Sequence, residues 1–467
     1  MRGAGGGHLM RMRDVLLVGL MLFGLFFGAG NIIFPVSMGQ LAGREWAPAF
    51  AGFAVTAVGL PVAGVAALAA GGASGPYELA SRVGKRYARF FSSALYLCVG
   101  PLFAVPRCAS VPYELGVAPL LAPLFGEGDA LLRVGFSTAF FAAAFFLSLR
   151  SNRLLTVVGK VLTPLFAVSL VVLCVAAFAD LGGSGVQAAP QGAYAGSPLS
   201  TGLLEGYKTM DVLASLAFGT VVVAAARDRA ALGRPAEGAR EGGVPKRALV
   251  EAGAVGGLLM AAAYGALALL GAESRSVFEA APNGGAALGL VARHCLGEGG
   301  QALLTAVVVL ACLKCAVGLL AACAEGHRAM FRSRLGYVQW LALFAAVSYA
   351  LSLVGLNEIV ALSVPVLSLL YPPAIALIFV TLVVGRRPGM QAAYRWTTAF
   401  AFAAALFDLL AALPEGVQAL APVAALVDGA SAWLPLYGFG LGWVVPTLAG
   451  FAVGLFASKR ARARART

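Results

Sequence analysis

The chain has 467 residues, of which 60% are hydrophobic and only 12% are charged, and its mean hydropathy is +0.86. This composition excludes an ordinary soluble domain, in which about a quarter of the residues are charged. It indicates a protein that crosses a membrane several times. The net charge of +13 would suggest a nucleic-acid partner in a soluble protein, but here the basic residues follow membrane topology, and we expect no nucleic acid.

Apolar runs predict about twelve transmembrane helices, because a helix needs about 20 apolar residues to cross the bilayer core. No small-residue cleavage site follows the first run, so we interpret it as a span and not as a cleavable signal peptide. The sequence therefore predicts an all-α, polytopic membrane protein. The predicted spans are 14–36, 47–71, 88–106, 131–149, 154–179, 208–226, 248–271, 301–324, 337–355, 359–384, 396–412 and 438–457.

Alternate connections between these spans hold most of the 34 basic residues. Clusters lie at 82–89 and 227–247 and in the tail 458–467. Under the positive-inside rule these connections and both termini lie in the cytoplasm, which requires an even number of spans. We interpret the basic tail mainly as a topology signal, and contact with anionic membrane lipid is the second interpretation.

The first predicted span is interrupted by the stretch 24–35, which contains three glycines and an asparagine and closes with Pro35. Glycine and proline weaken the interior of a helix. Peptide groups freed at this depth must bond inside the protein or in a wet cavity, and such breaks form the sites of secondary transporters. Close helix packing through small residues is the alternative. We predict a non-helical segment that lines a binding site, comprising Gly28, Ala29, Gly30 and Asn31.

The sixth predicted span carries a second small-residue interruption, at Ala217, Phe218 and Gly219, with Ser215 beside it. Spans one and six are five apart, so they cross the membrane in opposite directions. Paired interruptions in corresponding spans indicate a transporter site between inverted repeats. We therefore predict that these four residues face the first interruption. Asp211, near the outer end of this span, is a further candidate because acids inside a membrane are costly and mark functional positions.

Two lysines lie inside predicted spans at inner-to-middle depth: Lys160 in the fifth span, and Lys314 in the eighth, beside Cys315. A buried ammonium is costly without partners, so each is a candidate functional cation. Snorkelling toward the surface is the alternative, and it fits Lys160 better than Lys314. Cys312 and Cys315 lie in an apolar span, where a buried cysteine behaves as a small hydrophobic residue, so we interpret them as packing residues.

Several motifs together resemble the bacterial branched-chain amino acid carriers, the "system II" or LIVCS cation symporters, over nearly the whole chain. That family is similar to the leucine-transporter-type fold, with two inverted five-helix repeats and two additional helices. The resemblance implies a multi-pass protein of the bacterial inner membrane. The motifs that carry it lie at 28–35, 57–61, 100–107, 159–164, 206–211, 283–285, 363–367 and 371–373.

The family pattern implies a division of the chain into tails, repeats and connections. We expect a cytoplasmic tail at 1–13, a first repeat at 14–180, an extracellular loop at 181–207, a second repeat at 208–384, two additional helices at 385–457 and a basic cytoplasmic tail at 458–467.

The resemblance also implies import of leucine, isoleucine or valine with a cation, usually sodium. A half-helix N-terminus at Ala29, Gly30 and Asn31 would bind the substrate carboxylate. Carbonyls around Ala217 and Phe218 would accept from the ammonium. Phe218 and part of the third span would form the apolar pocket. No cofactor and no obligatory protein partner are implied.

One position departs from the family pattern, because Lys314-Cys315 stands where two hydroxyl ligands of sodium are usual. An ammonium and a thiol are unsuitable ligands for sodium. The carbonyls that would hold the ion belong to Gly24 and Phe27, and the Lys314 ammonium is predicted to take its place beside them. Sodium coupling, proton coupling and substrate exchange therefore stay open, with Lys160 as the alternative functional cation.

Two other classes are possible for a polytopic chain. A membrane-embedded enzyme would need a nucleophile, a metal set or an acid–base pair inside the spans, whereas His8, His294 and His327 all fall in predicted loops or the tail. A cation channel would need rings of like residues at a constriction, and none is visible. A transporter is therefore the favoured interpretation.

Overall fold

The computed structural model describes residues 12–125, 130–149, 151–181, 186–218, 246–331 and 335–464, and within them all side chains except those of 14, 25, 151–163, 246–249 and 463–464. No strand occurs within these ranges. The helices of the first half are α1 (Met12–Phe26), α2 (Ala29–Ala42), α3 (Trp46–Ala54), α4 (Leu60–Gly71), α5 (Pro76–Ala80), α6 (Lys85–Leu97), α7 (Ala104–Pro112), α8 (Ala118–Phe125), α9 (Ala130–Ser148) and α10 (Ser151–Leu181).

The helices of the second half follow from residue 198. They are α11 (Pro198–Tyr207), α12 (211–218), α13 (Lys246–Ser274), α14 (Gly284–Met330), α15 (Tyr337–Ser352), α16 (Leu356–Val384), α17 (Gln391–Ala411), α18 (Glu415–Gln418), α19 (Ala421–Trp433) and α20 (Val444–Arg464). Wider π-helical turns at Val55–Gly59, Cys98–Leu102 and Tyr113–Val117 link α3 to α4, α6 to α7 and α7 to α8.

Seven helical stretches in the described residues are long and apolar enough to cross a membrane. Two shorter apolar helices, Val15–Gly24 and Tyr337–Ser352, accompany them. The prediction of an all-α, polytopic membrane protein is confirmed. Some spans are longer than predicted: the eighth lies within α14, a 47-residue helix that bends at Gly297, where φ is +67°.

The sixth span differs from the prediction in both its start and its break. The predicted outer connection 181–207 contains the helix α11, which packs against α3. The chain leaves helical hydrogen bonding at 208–210 and resumes it in α12. Ala217 and Phe218 are helical, so the break predicted at these residues is wrong, and Gly219 lies outside the described residues.

Helices around the first span approach each other through small residues. A Cβ added at Gly39 in α2 would lie 1.9 Å from the Ala268 carbonyl oxygen, and one at Gly271 in α13 would lie 2.2 Å from the Val36 carbonyl oxygen. Only glycine permits such approach of two backbones, the usual device for close packing in membranes. This contact fixes α2 against α13 and so positions the interruption that precedes α2.

Candidate functional site

The first interruption lies between α1 and α2 and is shorter than predicted. Gly28 is extended, with φ −118° and ψ −165°, whereas Ala29, Gly30 and Asn31 already form the first turn of α2. The prediction that all four are non-helical is therefore wrong for the last three. The physical reason is local capping, because the Gly28 N–H donates to Asn31 Oδ1 at 3.0 Å and the helix can restart at once.

The second interruption, at 208–210, uses an unusual backbone conformation. Met210 has φ +63° and is almost fully buried, a conformation that is uncommon for residues other than glycine. The Thr209 hydroxyl donates to the Gly206 carbonyl at 2.9 Å and accepts from the Asp211 N–H at 3.3 Å. Thr209 therefore caps the end of α11 and the start of α12 with one side chain.

The two interruptions meet at Asp211, which is 2% exposed. Asn31 Nδ2 donates to both carboxylate oxygens of Asp211, at 2.9 and 2.8 Å, and it also contacts the Tyr264 hydroxyl. The Tyr264 hydroxyl in turn donates to Asp211 Oδ2 at 2.7 Å. The Phe27 ring stacks on Tyr264 with ring centroids 5.7 Å apart. Asp211 is thus a buried, hydrogen-bonded group at the point where the two interruptions meet.

Arg107 on α7 fills the space on the other side of the second interruption and is 1% exposed. Its Nε donates to the Phe103 carbonyl at 3.2 Å and its Nη1 to the Lys208 carbonyl at 2.9 Å. Its Nη2 lies 2.9 Å from Met210 Sδ. The sequence offered Arg107 only as part of a family motif, and Tyr264 was not singled out at all.

A cavity of about 40 Å³ lies where these elements converge. Its lining contains both interruptions, since Gly28, Gly30 and Asn31 face it from one side and Met210 and Asp211 from the other. Ala29 and Phe218, both predicted for the substrate site, also line it, together with Cys315 and Arg107. This volume accommodates water and is far below the about 300–1,000 Å³ of most ligand pockets.

Two residues predicted for this cavity face elsewhere. Ser215 Oγ donates to the Val212 carbonyl at 2.7 Å and lies against Gly64 of α4, where an added Cβ would be 2.1 Å from it. Ala217 is buried but is not part of the cavity lining in the described residues. Helical periodicity explains both corrections, because α12 turns Ala214 and Phe218, four residues apart, toward the cavity.

Lys314 on α14 reaches the end of α1. Its Nζ donates to the Gly24 carbonyl oxygen at 2.9 Å, which is the contact predicted from the sequence. This carbonyl lies in the last turn of α1, where carbonyl oxygens lack partners within the helix. Cys315, the next residue, lies close to Gly28, where an added Cβ would be 2.9 Å from its Sγ. Lys160 lies in α10, but its side chain is outside the described residues.

The described residues contain no recognisable metal-binding site. Within the described ranges, no group of three or more His, Cys, Asp or Glu side chains is arranged to hold a metal ion. The cavity lining instead contains the polar side chains of Asn31, Arg107, Thr209 and Asp211. Such groups suit a small ligand that carries both charges.

Two interrupted spans that meet at a buried polar cavity are typical of transporters with the leucine-transporter-type fold. The chain superimposes on MHP1, a nucleobase-cation-symport-1 family transporter in a closed conformation, with a TM-score of 0.61 at 15% identity, covering 97% of this chain and 93% of that one. It also matches the manganese transporter of Eremococcus coleocola, with a TM-score of 0.55 at 12% identity, covering 98% and 97%. At these identities the likeness shows the fold alone.

The family itself follows from sequence similarity. A family model described as branched-chain amino acid transport protein matches residues 11–461, and the chain belongs to this family. It is 39% identical to the branched-chain amino acid permease BrnQ of Lactobacillus delbrueckii subsp. lactis, over 96% of this chain and 98% of the relative. It is also 39% identical to the BrnQ permease of Escherichia coli strain K12, over 94% of each chain. The predicted resemblance is confirmed, and the protein is a multi-pass membrane transporter and not an enzyme.

Proposed function

We propose that this protein carries leucine, isoleucine or valine across the bacterial inner membrane by alternating access, with both termini in the cytoplasm. The observation that carries the proposal is the cavity between the two interruptions, which places charged and apolar groups side by side. The similar permeases are named for branched-chain amino acids, which supports the substrate class. The division into two five-helix repeats and two additional helices, and bilayer lipid as the only other partner, belong to the same proposal.

The cavity lining suits the three parts of a branched-chain amino acid. The N-terminus of α2 presents the amides of Ala29 and Gly30 to an anion. Asp211 supplies negative charge for the ammonium. Phe218 supplies apolar surface for the aliphatic side chain. Ligand pockets usually measure about 300–1,000 Å³, so the cavity has to widen to admit substrate.

Coupling is the finer part of the proposal, and it rests on Lys314. Its ammonium donates to the Gly24 carbonyl oxygen at 2.9 Å. Secondary transporters use carbonyl oxygens of this kind, at interrupted helices, to bind ions. A resident ammonium there supplies the positive charge that a coupling sodium ion would supply. We therefore propose that a proton gradient or substrate exchange drives transport without sodium. Lys160 is the alternative functional cation.

Leucine uptake into proteoliposomes containing the purified protein tests both levels of the proposal, namely the substrate class and the coupling. We expect uptake that isoleucine and valine inhibit, and that imposed sodium gradients leave unchanged at fixed pH. The double variant Lys314→Thr with Cys315→Ser should acquire sodium stimulation, because two hydroxyl oxygens then replace the ammonium and the thiol at these positions. Cys312→Ser is the matched control on the same helix.

The outcomes separate the two levels of the proposal. Strict sodium dependence of the wild-type protein would contradict the coupling assignment and leave the substrate class intact. Absence of uptake of all three amino acids would contradict the substrate class itself. Sodium insensitivity of the double variant, with normal expression, would favour Lys160 or an ion-free exchanger.

A further inference from the structure

Arg107 carries a full charge in the interior, and the hydrogen-bond partners that the structure describes for it are neutral. Its acceptors are two backbone carbonyl oxygens and the Met210 thioether, and a thioether is a weak acceptor. Among the described residues no carboxylate forms an ion pair with it. Burying a charge requires compensation by opposite charge and good hydrogen bonds. The partners that the structure describes therefore compensate the charge of the guanidinium only in part.

The surroundings of Arg107 add a second reason for an anion at this point. The guanidinium Cζ lies 5.3 Å from the ring centroid of Phe34 in α2, and a Cβ added at Gly30 would be 3.8 Å from Nη1. Gly30 is in the first turn of α2, where the helix dipole is positive. Two positive groups therefore face the same cavity, and the charged side chains in its described lining are Arg107 and Asp211.

We infer that Arg107 binds the carboxylate of the transported amino acid, an inference that rests on the proposed function. A guanidinium matches a carboxylate through two parallel N–H bonds. On binding, the carboxylate accepts from Nη1 and Nη2 in place of the Lys208 carbonyl oxygen and Met210 Sδ. The freed Lys208 carbonyl oxygen then accepts from the substrate ammonium. The Lys208 carbonyl oxygen thus stays bonded to Arg107 until a carboxylate binds, and only then can it accept from the ammonium.

The test compares leucine with leucinamide, which differs by a neutral carboxamide, as inhibitors of labelled-leucine uptake. We expect wild-type protein to prefer leucine by about 100-fold, the scale of losing one partner of a buried charge pair. Arg107→Gln should weaken leucine binding by a similar factor and bring the ratio close to one. Arg107→Lys should fall between the two, because lysine keeps the charge but not the planar fork.

Arg82→Gln is the matched control. Arg82 also donates to a backbone carbonyl, that of Gly385 at 3.0 Å, and to the Tyr394 hydroxyl at 2.9 Å, but it does not line the cavity in the described residues. Its loss should alter stability or rate and leave the leucine to leucinamide ratio unchanged. A wild-type ratio in Arg107→Gln would overturn the inference while leucine transport stands. A wild-type protein that transports no branched-chain amino acid would overturn the proposed function, and the inference with it.

A measurement on the wild-type protein covers the case in which Arg107→Gln does not fold. 4-Methylpentanoate keeps the carboxylate and lacks the ammonium, whereas 3-methylbutylamine keeps the ammonium and lacks the carboxylate. We expect the acid to inhibit leucine uptake at about tenfold lower concentration, because only the acid pairs with Arg107, and without a carboxylate Arg107 stays bonded to the Lys208 carbonyl oxygen that the amine would need. Stronger inhibition by the amine would overturn the inference.

Discussion

Asn31 and Asp211 lie 180 positions apart in the chain, and Asn31 Nδ2 donates to Asp211 Oδ1 at 2.9 Å and to Oδ2 at 2.8 Å. The other end of the same amide, Oδ1, accepts from the Gly28 N–H at 3.0 Å. One side chain therefore caps α2 and binds it to the start of α12. The geometry of the first interruption consequently depends on the second.

Asp211→Asn should reduce both stability and transport. An asparagine keeps the shape but offers one acceptor oxygen, so its own NH2 group would face the Asn31 amide donor or the Tyr264 hydroxyl. An unsatisfied buried group costs about 1–3 kcal/mol. Thermal unfolding in detergent and leucine uptake measure the two effects. Unchanged values of both would contradict the central role of this network.

Tyr264→Phe should destabilise the protein by about 1.5–3 kcal/mol, the contribution of a hydrogen bond to a charged group. The variant removes the hydroxyl that donates to Asp211 Oδ2 at 2.7 Å and leaves the ring stacked on Phe27. The matched control is Tyr371→Phe, since the buried Tyr371 hydroxyl has no hydrogen-bond partner among the described residues. We expect the control to be neutral or stabilising. Equal melting temperatures for the two variants would refute the assignment.

Gly30→Val should abolish uptake and leave membrane insertion normal. An added Cβ at Gly30 would lie 3.1 Å from the Phe34 ring and 3.8 Å from Arg107 Nη1, so the larger side chain fills the cavity where the substrate carboxylate is proposed to bind. The control is Gly318→Val in α14, where no atom lies within 4 Å of an added Cβ. Uptake assays on equal amounts of reconstituted protein make the comparison, and an active Gly30→Val protein would rule out this site.

Gly271→Ala should lower the yield of folded protein. The added Cβ would lie 2.2 Å from the Val36 carbonyl oxygen, so α2 and α13 would have to separate, and overpacking of this kind costs about 1–3 kcal/mol or more. Gly135→Ala on α9, with no atom within 4 Å of its Cβ, is the control. Monodispersity in detergent and melting temperature distinguish them. A Gly271→Ala protein as stable as the control would contradict the close contact.

The position of the first interruption and the Lys314 contact could be predicted because both depend on residue types that are unusual inside an apolar span. Gly28 weakens a helix in any context, and Lys314 is conspicuous in an apolar span. The restart of α2 at Ala29 was not predictable, because it depends on the Asn31 side chain turning back to cap the helix. A side-chain rotamer decides that outcome, and residue type alone does not reveal it.

The second interruption and Arg107 were missed for related reasons. Met210 adopts φ +63° without being a glycine, so no local signal marked the break, and Lys208 resembled the boundary of a span. The predicted third span ended at residue 106, which put Arg107 at the membrane surface. The helix in fact continues through the π-helical turn Tyr113–Val117, and tertiary contacts bury the guanidinium.

The continuous helix α13 has a mechanical consequence for the interrupted first span. It packs along α2 at Gly271 and along α1 at Gly19, where an added Cβ would lie 2.7 Å from Val255 Cβ. An interruption in helical hydrogen bonding usually acts as a hinge. Here, however, α1 and α2 both pack against the continuous helix α13. We therefore expect the three helices to tilt together and the cavity to open by sliding of this assembly across α7 and α14, which carry Arg107 and Lys314. Cross-linking α1 to α13 should leave turnover intact, whereas cross-linking α2 to α7 should arrest it.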